Sequence, residues 1–138
     1  MAQYRFQEEY LEHLRDQNRR LREEHHDYYN DPYFYTALVY RYNRGDAYYE
    51  TNQYGADLLR QAVNSGYEEG YRSGVADRED NWHFDYRNSY AYQDAYYGYN
   101  GYDLDPEDYR HYFREGFRRG YEDGYNDNDQ YGYNANGS

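Results

Sequence analysis

Three short pairings in the chain could do chemistry. Glu23-x-x-His26, Asp80-x-x-His83 and Asp108-x-x-His111 each set a carboxylate three residues ahead of an imidazole, the spacing at which a helix offers both groups to a bridging metal pair. Such a centre also needs inward carboxylates from other helices at matched depth. Glu12 and Glu50 are available, but no pattern specifies them. The pairs read first as surface carboxylates beside surface histidines, with a metal-binding helical protein as an alternative, so no metal ligand, cofactor or catalytic residue is assigned. The stretch "DGYNDNDQYG", residues 123–132, resembles a calcium loop but sets Tyr131 where a ligand oxygen is required and supplies no Glu at the twelfth position. There is no cysteine, which removes disulfides, thiolate catalysis and Cys-type zinc sites. No serine lies in a nucleophile elbow and no glycine-rich loop joins a strand to a helix. An enzyme is not expected.

The elements that would have to position these groups follow from an internal repeat. Residues 58–80, "LLRQAVNSGYEEGYRSGVADRED", align without a gap on residues 108–130, "DYRHYFREGFRRGYEDGYNDNDQ". Gly66, Gly70 and Gly74 fall on Gly116, Gly120 and Gly124; Tyr67 and Tyr71 fall on Phe117 and Tyr121, flanked by Val63 on Phe113 and Val75 on Tyr125. In a helix of about 3.6 residues per turn a step of four advances only about 40°, so glycines and aromatics form two neighbouring stripes, a groove and a ridge. An interior Gly costs roughly 1 kcal/mol relative to Ala, and small residues every fourth position allow two backbones to approach closely. The expectation is an all-α fold in which the two Gly-striped helices pack as a close hairpin, with rings of one over glycines of the other. The packing residues are Gly66, Gly70, Gly74, Tyr67 and Tyr71 on one helix and Gly116, Gly120, Gly124, Phe113, Phe117, Tyr121 and Tyr125 on the other.

Asp105-Pro106-Glu107-Asp108 is a helix start, with Asp as cap and Pro in the first turn; the second striped helix should run from Pro106 to about Asn126, and the first from between Asp46 and Gln53 to about Asp80. The same grammar at Asp31-Pro32 predicts a helix over "YFYTALVYRYNR" closed by Gly45, with a strand as the alternative because the stretch is rich in β-formers. A connector joins the striped helices through a short helix near residues 88–97. At the start, Tyr4, Leu11, Leu14, Asn18, Leu21 and His25 have the spacing of a narrow amphipathic seam. Residues 1–30 therefore read as an N-terminal helical arm, and residues 31–138 as a Tyr/Gly-rich helical repeat domain.

The blocks GYxxGxxxGxxD at residues 66–77 and FRxGFxxGYxxGY at residues 113–125, with "YQDAYYGYNGY" between them, resemble a group of uncharacterised bacterial proteins frequent in Acidobacteria. The resemblance spans about Tyr40 to Tyr125, leaves residues 1–39 outside, and implies no activity.

Of 138 residues, 26 are Tyr; all 15 basic residues are Arg, and the net charge is −12. That balance argues against a nucleic-acid partner. No apolar run approaches a membrane span, and no secretory h-region follows Met1, so the cytoplasm is the default compartment, with an extracellular assembly left open. Tyr offers contact area at low entropy cost, and Arg stacks on it. The composition points to a non-enzymatic structural protein that self-associates as an oligomer or fibre through Tyr-rich helix faces. The alternative is a binding module presenting an aromatic surface to a glycan or protein partner.

Overall fold

The computed structural model describes residues 1–127 except His25 and Tyr28; the calcium-like stretch beyond Asp127 and the His25 end of the N-terminal seam lie outside the described residues. Four helices and one strand pair follow in the order α1 (Ala2–Glu23), β1 (Tyr40–Arg44), β2 (Ala47–Thr51), α2 (Gln53–Glu79), α3 (Tyr90–Asp94) and α4 (Pro106–Tyr125). α4 begins at the Asp105 cap, whose carboxylate accepts from the Glu107 amide at 2.8 Å. α2 begins at Asn52. That buried side chain accepts from the amides of Tyr54 and Gly55 and donates to the Tyr33 carbonyl at 2.6 Å, tying the helix start to the preceding segment.

Two expectations are corrected here. Residues 33–44 are not a helix: only a 3-10 turn, Pro32–Tyr35, follows the Asp31 cap, and the chain then extends into β1. The β-rich run pairs with β2 in antiparallel register, Tyr42 opposite Tyr49 and Arg44 opposite Ala47. Gly45, at φ 63°, takes the first place of the two-residue turn instead of closing a helix. The fold is thus mostly helical, as expected, with one small β-hairpin where the strand alternative holds for the end of this stretch.

The second correction concerns direction. Gly66, Gly70 and Gly74 of α2 face Phe113, Phe117 and Tyr121 of α4, while Gly116, Gly120 and Gly124 face Val63, Tyr67 and Tyr71. Both series ascend together, so the striped helices run parallel rather than as a hairpin. A tight αα-hairpin is closed by a loop of a few residues; here residues 80–105 carry the chain back to the starting end.

Each glycine lies against the backbone of the opposite residue, not under its ring. A Cβ on Gly70 would stand 2.8 Å from the carbonyl carbon of Phe117, and one on Gly120 would stand 2.8 Å from that of Tyr67, with the carbonyl oxygens nearer still. The two helices are related as the repeat predicts: each glycine meets the carbonyl three residues before its repeat mate. The missing side chains let Cα–H groups approach carbonyl oxygens, the contact favoured in close small-residue crossings.

With the backbones in contact, the rings are driven sideways. Along α4, Tyr109, Phe113, Phe117, Tyr121 and Tyr125 stack in sequence at centroid spacings of 5.9–6.5 Å. The connector covers this ladder with Tyr99 against Tyr109, Tyr92 against Phe117, and Phe84 and Tyr86 against Tyr121. A core built on Tyr must satisfy its hydroxyls. Tyr109 donates to the Tyr97 carbonyl at 2.7 Å, Tyr10 to Asp94 at 2.9 Å and Tyr125 to the Trp82 carbonyl at 2.6 Å. Tyr67 donates to Asp123 and Tyr121 to Asp77. Arg110 and Arg114 then satisfy the carbonyls of Tyr92, Gln93 and Asp94 at the end of α3, a use of the planar guanidinium that Lys could not reproduce.

α1 shares this core. Its buried residues are Phe6, Tyr10 and Gln17, whereas Leu11 of the expected seam is exposed and Leu14 packs at the edge. Gln17 accepts from the Gly98 amide at 2.7 Å and donates to the Tyr96 carbonyl. Gln3 donates to Asp77 at 2.7 Å, and both oxygens of Asp80 take the first amides of α1, Ala2 at 2.7 Å and Gln3 at 2.9 Å.

Candidate functional site

The three carboxylate–histidine pairs meet different fates. Asp108 is buried, accepts from the Tyr42 hydroxyl at 2.6 Å and pairs with Arg44 at 2.8 Å, so it serves the seat of the hairpin rather than His111. Asp80 is occupied by the α1 amides, and His83 stands 3.6 Å from Asp85 instead. The Glu23–His26 spacing never becomes helical, because α1 ends at Glu23.

His26 is instead brought to two residues that spacing did not reveal. Its Nε2 lies 2.6 Å from Asp31 Oδ2, and donor atoms of His26, Asp31 and Asp103 all fall within 4.8 Å of one another. The imidazole lies flat on Tyr102, with ring centroids 3.4 Å apart. Asp31 also accepts from the Tyr33 amide at 3.0 Å, the contact that caps the 3-10 turn. Asp103 sits beside Tyr102 at φ 70°, a left-handed conformation that Asp tolerates.

The electrostatics of the trio are unequal. Burial, then the hydrogen bond and charge of Asp31, push the Asp103 carboxyl up to about 7. Burial works against ionised Asp31 as well, but hydrogen bonds from Asp103, the Tyr33 amide and His26 outweigh it and hold that carboxyl below its ordinary value. Of the two carboxyls, Asp103 therefore holds a proton more readily and Asp31 is the one that favours ionisation. Oδ1 of Asp103 is buried with no hydrogen-bond partner among the described residues.

The predicted packing residues lie together between α2 and α4, but that geometry leaves little of their stripes for anything else: all six glycines, Tyr67, Phe113, Phe117 and Tyr121 are buried, and only Tyr71 and Tyr125 keep part of their surface. The exposed apolar surface is elsewhere. Phe34, Tyr35, Leu38, Val39 and Tyr40 are all exposed in the approach to the hairpin, and Tyr48 projects from β2 with 72% of its surface free. The outer backbone edge of β1 is met by Tyr112, whose hydroxyl donates to the Asn43 carbonyl at 2.8 Å and accepts from its amide. On β2, among the described residues, no hydrogen bond from outside the hairpin reaches the backbone of Tyr48 or Glu50. A shallow groove of about 450 Å³ beside α4, lined by Arg44, Glu107, His111, Arg114, Glu115 and Arg118, mixes both signs of charge and favours neither.

No helix among the described residues is long and apolar enough to cross a membrane. No family model, curated protein or solved structure matches the chain, and the bacterial resemblance of residues 40–125 rests on its sequence blocks alone.

Proposed function

We propose that the chain is a non-enzymatic structural protein that associates with a second copy of itself, and that the contact surface is the β-hairpin and its approach segment rather than the striped helix faces. The observation that carries this reading is the open β2 edge beside exposed Phe34, Tyr35, Leu38, Val39 and Tyr48. An open strand edge flanked by apolar side chains is a template for a further strand. Pairing of two β2 strands about Tyr49 would close a symmetric four-stranded sheet and set Tyr48 of each copy opposite Glu50 of the other, with no like charges facing.

Charge supports the same surface. Residues 32–51 hold Arg41 and Arg44 against Asp46 and Glu50, a balanced segment in a chain of net charge −12. Two copies meeting there bring no net charge of this segment together. Because the contact is short-range and salt screens the long-range repulsion over a Debye length of about 10 Å at 0.1 M, association should persist as salt rises and strengthen towards the pI of 4.7.

Light scattering across a wide concentration range tests the reading. The parent should gain mass with concentration, and Tyr48→Glu and Val39→Glu should each return it to a monomer without loss of helicity. A parent that stays monomeric throughout would overturn self-association and favour a module whose aromatic surface meets a glycan or another protein.

A further inference from the structure

The His26–Asp31–Asp103 cluster is not used by the proposed association, although Asp31 caps the turn that carries Phe34 and Tyr35. Its donors come from two loops, one after α1 and one before α4, that meet at the stack of His26 on Tyr102. Asp31 is almost wholly buried, with 3% of its side chain exposed, and His26 largely so at 18%. Gathering one buried and one half-buried carboxyl about a half-buried imidazole is unfavourable unless something positive sits between them. Asp103 Oδ1 is buried and has no hydrogen-bond partner among the described residues.

We propose that His26, Asp31 and Asp103 form a binding site for one first-row divalent transition ion of the Zn²⁺ class, held by imidazole nitrogen and two carboxylate oxygens with a further position open to water. The donor set selects the class. Imidazole with carboxylate suits Zn²⁺ and its neighbours, while Ca²⁺ requires six or more oxygens and Mg²⁺ prefers an all-oxygen octahedron. Stacking on Tyr102 fixes the imidazole plane, and the Tyr33 amide orients Asp31 through its Oδ1, the kind of outer support that tunes metal ligands.

The test is titration of the chelator-treated full-length chain with Zn²⁺ by calorimetry, alongside thermal melting. One ion per chain and a melting temperature that climbs with Zn²⁺ are expected. His26→Gln and Asp103→Asn should each weaken binding at least about tenfold, whereas His83→Gln should bind like the parent. Absorption of the parent chain with Co²⁺ gives a readout that needs no variant: an intense visible band marks a low-coordinate protein site. The absence of a saturable transition, a Co²⁺ spectrum no different from the aquo ion, or unchanged binding in both His26→Gln and Asp103→Asn would overturn the site.

Discussion

Gly70 of α2 rests on the backbone carbonyl of Phe117 in α4, and the repeat reproduces the contact in reverse, Gly120 on the carbonyl of Tyr67. Two helices from one chain therefore meet as a symmetric parallel pair, and the aromatic ladder flanking them is a consequence of how close they come.

Helix propensity and packing predict opposite signs for Gly120→Ala. Propensity alone would stabilise by roughly 1 kcal/mol. A methyl group placed against the Tyr67 carbonyl must instead push the helices apart, an overpacking cost of about 1–3 kcal/mol. Urea unfolding should show a net loss of stability for Gly120→Ala, deepened in Gly120→Leu.

The repeat was readable because a carbonyl can approach a helix that closely only where Cβ is absent, and three such approaches on successive turns leave a four-residue period. Direction was not readable. Two aligned stripes can face each other running either way, and only the connector, with Tyr99, Tyr92, Tyr86 and Phe84 laid over the ladder, makes the parallel arrangement the buried one. The hairpin was half legible: β-formers surround Gly45-Asp46, but Asp31-Pro32 opens a 3-10 turn with the same residues that open a helix. Asp103 could not be matched to His26 by any spacing, since it comes from a loop far along the chain, and Asp31, five residues from His26, shares its loop at no helical period. On α1 the buried face is set by Phe6, Tyr10 and Gln17 because Tyr10 and Gln17 find polar partners in α3 and the connector, which periodicity does not encode.

The junction of α1 with α2 should depend on pH. The amides of Gln3 and Ala2 hold the Asp80 carboxyl below its ordinary value of 3.8. A carboxyl depressed in the folded state stabilises above its unfolded value, and that contribution disappears as pH falls through the folded value. The protection of the amides at the start of α1, measured against their intrinsic exchange rate at each pH, should therefore fall in acid below about pH 3.8, and Asp80→Asn should show lower protection already at pH 7.

Glu69 gives the opposite sign. It is buried on α2, and burial raises its carboxyl above the ordinary 4.5 despite Arg72 at 3.3 Å and the charge of His13. An acid raised in the folded state opposes folding once pH exceeds its unfolded value, and the penalty is complete above the folded value. Glu69→Gln should raise the melting temperature at pH 7 and make little difference below pH 4.5.

Amide hydrogen exchange compared at low and high protein concentration tests the association reading most directly, because it reports both whether copies meet and where. Added protection at high concentration should be concentrated in the amides of Tyr48 and Glu50 on the open edge of β2 and in the adjoining residues 34–40, with α2 and α4 unchanged. Exchange that is independent of concentration, or protection gained only on the outer faces of α2 and α4, would contradict it.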